Sequence, residues 1–79
     1  MKIKLKYYGR IAEVLKKTEE TIEMTSPQKI SEIREELYVR YPEMRKESFK
    51  MAHNMNLVSE SMEIKEDGDL VILPPFAGG

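Results

Sequence analysis

An α+β domain, with a mixed sheet and one main helix packed on one face, is the fold class that this sequence predicts. Three observations support it: an alternating segment at the start, a segment of helical periodicity in the middle and a short apolar run near the end. A chain of 79 residues suits one domain, 1–79, and buries only about 60% of its unfolded surface. It therefore has little room for a deep active site of its own.

The first two strands are predicted from alternation. In the opening segment, MKIKLKYY, apolar and lysine side chains alternate, which is typical of a half-buried strand. The apolar face carries Met1, Ile3, Leu5 and Tyr7, and the other face carries Lys2, Lys4, Lys6 and Tyr8. IAEVLKK predicts a short helical turn after Gly9, and EETIEM predicts a second strand with Ile22 and Met24 on one face.

The main helix is predicted within TSPQKISEIREELYVRYP. Its apolar residues share one stripe of a 3.6-residue period: Ile30, Ile33, Leu37, Tyr38 and Tyr41. Thr25 or Ser26 is expected to cap this helix and Pro27 to occupy its first turn. Pro42 is expected to end it.

Two or three strands are predicted after the helix. Phe49, Met51 and His53 alternate with polar or small residues, and Leu57 resumes an apolar pattern after the turn residues NMN. KEDGD predicts a turn before the last strand, LVIL.

Composition excludes several classes of function. The chain has no cysteine, one histidine, and 13 basic against 14 acidic residues, so we expect neither a metal site nor a nucleic-acid partner. No apolar run is long enough to cross a bilayer, and we expect a cytoplasmic protein without a membrane partner. Asp67 and Asp69 fit a tight turn better than a metal site, and His53 fits a strand better than a triad with Ser59 or Ser61.

The segment LVILPPFAGG at 70–79 combines features that point to one function. Leu70 and Ile72 are expected on one sheet face, with Val71 and Leu73 on the face that the helix leaves uncovered, where a partner could dock. Two prolines predict that 74–79 is an extended projecting tail, and the final glycines would let it thread a narrow channel. The alternative is that 74–79 is a frayed terminus without a function.

This tail resembles the small, ubiquitin-like subunit of molybdopterin synthase, as do the preceding DGD, the YYG at the end of the first strand, the ISEIREEL of the main helix and the AHNMNLV segment. The resemblance covers nearly the whole chain and implies a β-grasp fold. His53 departs from it, standing where the family usually has an aliphatic residue, and IAEVLKK lacks the family's usual Arg and Gly.

The resemblance implies a sulfur carrier with no catalytic constellation of its own. A ubiquitin-activating-like adenylyltransferase would use ATP to adenylate the carboxylate of Gly79, next to Gly78, and a persulfide-bearing sulfur donor would convert it to a thiocarboxylate. The large catalytic subunit, in a heterotetramer, would then use that sulfur to build the dithiolene of molybdopterin from cyclic pyranopterin monophosphate. No cofactor is expected to stay bound to the chain itself.

Partner binding is expected at the uncovered sheet face and the tail. The predicted contacts are Tyr8, Leu57, Leu73, Pro74, Pro75, Phe76 and Ala77. Of these, Leu57 and Leu73 match partner-contacting positions of the family, whereas Tyr8 and Phe76 follow from the face assignment. Three other sulfur recipients or acceptors stay open at this point: the thiamine thiazole, transfer RNA, and lysines of proteins in conjugation. An inert β-grasp binding module is a further alternative of a different class.

Overall fold

The first strand sets the two faces of the sheet. In the computed structural model, which describes residues 1–75, Ile3, Leu5 and Tyr7 are buried on one side of this strand, while the lysines between them point to the other side. The elements in chain order are β1 (Lys2–Tyr7), α1 (Gly9–Leu15), β2 (Glu19–Glu23), β3 (Gln28–Lys29), α2 (Ile30–Arg40), a 3₁₀ helix (Pro42–Lys46), β4 (Lys50–His53), β5 (Asn56–Leu57), β6 (Glu63–Ile64) and β7 (Gly68–Leu73).

The main sheet is mixed and has five strands in the order β2-β1-β7-β4-β5. At its centre β1 and β7 run parallel, with Ile3 beside Gly68 and Tyr7 beside Ile72, whereas the other neighbours are antiparallel. A second, two-stranded sheet pairs β3 with β6. The predicted α+β architecture is confirmed.

Helix α2 covers one face of the main sheet through the predicted stripe, in which Ile30, Ile33 and Leu37 are buried. The start predicted for this helix is wrong. Thr25, Ser26 and Pro27 precede it, and the helix begins at Ile30 after Lys29, whose N–H donates to Glu32 Oε1 at 2.8 Å. Gln28 and Lys29 pair with β6 instead, so a long-range strand contact delays the helix.

The short helix α1 closes one end of the core with Ile11 and Leu15 and ends at Lys16, which adopts a left-handed conformation. Met24 and Met51 are buried, as their strand positions predict. Within residues 1–75, no helix has the length and apolar character required to span a membrane.

A polar cluster around Glu20 ties β2 to β1 and to the end of α2. Tyr7 and Tyr41 each donate their hydroxyl to Glu20 Oε2, at 2.5 and 2.7 Å, and Lys17 Nζ donates to the Tyr41 hydroxyl at 2.8 Å. Burial by itself raises the pKa of Glu20, but the two tyrosine hydrogen bonds and the charges of Lys17 and Arg40 outweigh it, so the pKa lies below its usual value. Burial and the bond to Glu20 raise the pKa of Tyr7, which keeps it a donor.

We predict that Glu20→Gln lowers the free energy of unfolding by about 1–3 kcal/mol at pH 7, because two partly buried hydroxyls lose a charged acceptor. The lowered pKa of Glu20 in the folded state makes this stabilisation present above the pKa of the unfolded chain and lost as the pH falls through the folded value. Urea unfolding at pH 7 and at acidic pH measures both effects.

The matched control is Glu23→Gln, a change on the exposed side of the same strand. This variant should unfold like the wild type at both pH values. A difference between Glu20→Gln and wild type that stayed constant with pH would contradict a role for the Glu20 charge.

Candidate functional site

Among residues 1–75, the helices pack on one face of the main sheet and leave the other face without a helix. Its rows follow from the strand register: Lys6 lies beside Val71, Val71 lies across from Ala52, and Ala52 lies across from Leu57. In the next row Leu73 lies across from Lys50. We call this surface the open face, and it comprises Lys6, Tyr8, Lys50, Ala52, Leu57, Asp69, Val71 and Leu73.

The open face is apolar in its middle and exposed there. Tyr8 keeps 50% of its surface exposed and Leu57 keeps 60%, while Val71 and Leu73 are partly buried between neighbouring strands. A shallow groove of about 550 Å³ lies on this face and is lined by Lys6, Tyr8, Asn54, Met55, Asp69 and Val71. Exposed apolar side chains gathered in this way are typical of a surface that binds another protein.

The β4–β5 hairpin brings Met55 to the rim of the groove. Asn54 and Met55 form its turn with φ values of 50° and 69°, the left-handed pair of a type I′ turn. This conformation is unfavourable for methionine, and Asn56 supports the turn by donating its side-chain N–H to the Asn54 carbonyl at 3.1 Å. The turn leaves Met55 98% exposed.

Charge on the open face is arranged as ion pairs across strands. Lys6 Nζ lies 3.2 Å from Asp69 Oδ2 at one end of the groove, and Lys4 Nζ lies 3.5 Å from Glu19 Oε1 towards β2. The hydrogen bond from Lys6 to Asp69 raises the pKa of Lys6, so it carries its charge at neutral pH. Lys4 and Lys6 thus each lie beside a carboxylate, and Lys50 adds a further positive charge across from Leu73.

The residues weighed for metal or triad chemistry have structural roles. Asp67 Oδ1 accepts a hydrogen bond from the Lys2 backbone N–H at 2.8 Å, which ties the turn before β7 to β1. His53 is buried, and its Nδ1 donates to the Asp69 carbonyl at 2.7 Å. Ser59 and Ser61 contact each other at 3.3 Å, and residues 1–75 contain no acidic or histidine cluster suited to a metal ion.

The base of the predicted tail continues directly from the open face. After Leu73, Pro74 is partly buried and packs against Gly9, and Pro75 is exposed. The remaining predicted site residues, Phe76, Ala77, Gly78 and Gly79, lie outside the described residues. The face and the start of the tail therefore belong to one surface, built from β1, β7, β4 and β5.

Comparison with known proteins identifies the chain's relatives. The model of the ThiS family matches residues 5–79, which is nearly the whole sequence. The chain belongs to the ThiS family. The family resemblance found in the tail and strand motifs is thereby confirmed.

Solved structures agree with this assignment. A Pyrococcus furiosus protein that carries the provisional name molybdopterin converting factor, subunit 1, is similar with a TM-score of 0.86 and 25% identity, over 95% of this chain and 98% of that one. Small archaeal modifier protein 1 is similar in fold. The Haloferax volcanii protein gives a TM-score of 0.80 at 15% identity over the full length of both chains, and the Methanosarcina acetivorans protein gives 0.76 at 18% over 99% and 96%.

The fold of this ThiS-family chain is thus the ubiquitin-like β-grasp, as predicted. The chain is a ubiquitin-like sulfur carrier. The geometry brings together three of the residues predicted from sequence, Tyr8, Leu57 and Leu73, on the open face. Their contact with a partner stays a prediction.

Sequence reasoning missed Met55 as part of this surface. The alternation of LVIL placed Val71 with Leu73 on the uncovered face, as the structure shows, but Val71 was not among the predicted contacts. Met55 had no such signal, because its exposure comes from two successive left-handed residues in a turn without glycine.

We predict that Leu57→Glu changes the free energy of unfolding by less than about 0.5 kcal/mol, because an exposed position tolerates charge. Ile72→Val removes a single methylene from a fully buried side chain and should cost about 1 kcal/mol. Chemical denaturation of both variants makes the comparison. If Leu57→Glu proved the more destabilising of the two, Leu57 would belong to the core and not to a free face.

Proposed function

We propose that this chain is the sulfur-carrying small subunit of a molybdopterin synthase. The observation that carries the proposal is the continuity of an exposed apolar face with β7, the strand that leads through Pro74 and Pro75 to Gly78 and Gly79. The match of the ThiS family to residue 79 supports it, as does the similarity to the Pyrococcus furiosus protein.

The proposed chemistry takes place at the carboxylate of Gly79. A carboxylate is a poor electrophile, and a ubiquitin-activating-like adenylyltransferase gives it a leaving group by forming an acyl adenylate from ATP with release of pyrophosphate. The outer sulfur of a persulfide donor then displaces AMP and forms an acyl disulfide. A second thiol attacks the donor's sulfur in that bond, so that a disulfide forms on the donor side and the thiocarboxylate is released. Its sulfur is a strong nucleophile near neutral pH. Gly78 and Gly79 have no side chains, so enzyme groups can approach the reacting carbon closely.

The chain contributes docking and delivery. Tyr8, Leu57 and Leu73 on the open face are proposed to pack against the large catalytic subunit, and Met55 and Val71 extend that surface. The segment 74–79, with Pro74, Pro75, Phe76 and Ala77 before the glycines, is proposed to enter the active site of that subunit. When the large subunit holds the carrier by the open face, the attack of the sulfur on the bound pterin becomes effectively unimolecular.

The recipient is proposed to be cyclic pyranopterin monophosphate, to which two deliveries of sulfur add the dithiolene. The paired Pro74 and Pro75 before the tail favour this recipient over a thiazole precursor. Two copies of each subunit are proposed to form a heterotetramer. No cofactor is proposed to stay bound to the chain, since the adenylyltransferase uses the ATP. The reactions are proposed to take place in the cytoplasm.

We predict that the chain carrying a thiocarboxylate at Gly79, mixed with the large synthase subunit, converts cyclic pyranopterin monophosphate into molybdopterin. The product is measured after oxidation to its fluorescent form. The control is the chain without Gly79, which should fold normally and yield no product, because the core found within residues 1–75 ends at Ile72. A thiocarboxylated chain that leaves the pterin unchanged but transfers sulfur to a thiazole precursor or to transfer RNA would contradict the proposed recipient. Attachment of the chain to protein lysines, with the pterin left unchanged, would contradict it as well.

We predict that Leu73→Glu weakens binding to the large subunit at least about tenfold, because it places a charge in a desolvated apolar contact. Val39→Glu is the matched control. Val39 is 76% exposed on α2, on the opposite side of the sheet, and its substitution should leave the dissociation constant unchanged. Titration calorimetry measures both variants. Equal affinities for the two variants would remove Leu73 from the proposed interface.

A further inference from the structure

The base of the tail rests against the turn that follows β1. Gly9 has φ of +60°, and a Cβ built on it would lie only 2.7 Å from Cγ of Pro74. Two carbon atoms do not approach that closely without a shift, so the Pro74 ring occupies space that a glycine at position 9 leaves open. The positive φ is a second, separate reason for glycine there.

The same turn also carries part of the open face. The backbone N–H of Tyr8 donates to the Ile72 carbonyl at 3.1 Å, which extends the pairing of β1 with β7 to the last residues of the sheet. The side chain of Tyr8 lines the groove on the open face. Tyr8 thus belongs to the open face, and its neighbour Gly9 contacts the base of the tail.

The backbone at this base has little freedom. Proline fixes φ at both Pro74 and Pro75, and a residue that precedes proline is restricted to extended conformations, which applies to Leu73 and to Pro74. When the ring of Pro74 is fixed in place, the direction of the chain at the exposed Pro75 is therefore fixed as well. The contact between Gly9 and Pro74 is where that direction is set relative to the sheet.

We propose that Gly9 is a positioning residue for the adenylation of Gly79 and for the sulfur transfer that follows, because it sets the direction of the tail relative to the open face through its contact with Pro74. This inference rests on the proposed carrier function. A partner that holds the carrier by the open face receives the tail only along the direction that Pro74 gives it. An altered direction leaves docking intact and lowers the fraction of bound carriers whose carboxylate reaches the reacting centre.

The first test is Gly9→Ala in steady-state adenylation by the ubiquitin-activating-like enzyme, followed as ATP–pyrophosphate exchange. Because a small misplacement of a reacting group costs much of the rate, kcat should fall at least about tenfold. KM for the carrier should stay close to that of the wild type, since the open face is unchanged. Because a positive φ is unfavourable for alanine, a lower melting temperature is expected in either case, and a raised KM is the sign of a purely structural defect.

Two further variants separate the contact from the strain of a positive φ. Asparagine tolerates left-handed backbone but still carries a Cβ, so Gly9→Asn should show the same loss of kcat. Pro74→Ala removes Cγ and leaves a Cβ that lies 3.9 Å from the added methyl, an ordinary contact. In the Pro74→Ala background, Gly9→Ala should therefore lower kcat less than about threefold.

Each outcome has one meaning. A wild-type chain that the enzyme does not adenylate would refute the proposed function itself. If the wild type is adenylated, full activity of Gly9→Ala, or of Gly9→Asn, overturns the positioning role. An undiminished effect of Gly9→Ala in the Pro74→Ala background overturns it too, because the defect would then not pass through Pro74. If Gly9→Ala does not fold, kcat of Gly9→Asn with and without Pro74→Ala tests the same contact.

Discussion

The parallel pairing of β1 with β7 is the contact on which the rest of this structure depends. It joins the first strand of the chain to the last across five residue pairs, from Ile3 with Gly68 to Tyr7 with Ile72. Their apolar side chains, with those of α2, form the centre of the core. Because the last strand is central in the sheet, the tail that follows it leaves from the middle of the molecule, beside the turn that ends β1.

Strict alternation on β7 gives its two faces different tasks. Leu70 and Ile72 are fully buried beneath the helices, whereas Val71 and Leu73 point to the open face. A shift of register by one residue would exchange the two sets, so the burial of Leu70 and Ile72 also fixes the surface that we propose as the docking site. Residues that stabilise the core and residues of the proposed docking site thus alternate on one strand, and the proposed chemistry takes place in the residues after it.

Periodicity predicted much of this arrangement. The alternation of β1 and the stripe of α2 are local signals, and they correctly placed Tyr8 on the lysine side and Ile30, Ile33 and Leu37 in the core. The start of α2 was not predictable in this way, because it is set by the pairing of Gln28 with Ile64, far along the chain. The Glu20 cluster and the contact of Gly9 with Pro74 likewise join distant segments. Local patterns identify faces, but contacts across the sequence fix where elements begin and how the tail is held.

The most direct test of the carrier function is the mass of the C-terminal peptide after the chain has been incubated with ATP, its adenylyltransferase, a persulfide donor and a thiol. We predict that one oxygen of the Gly79 carboxylate is replaced by sulfur, and that omission of ATP abolishes the change. An unmodified carboxylate, with an enzyme that is active on another carrier of the family, would contradict the account and leave an inert β-grasp binding module.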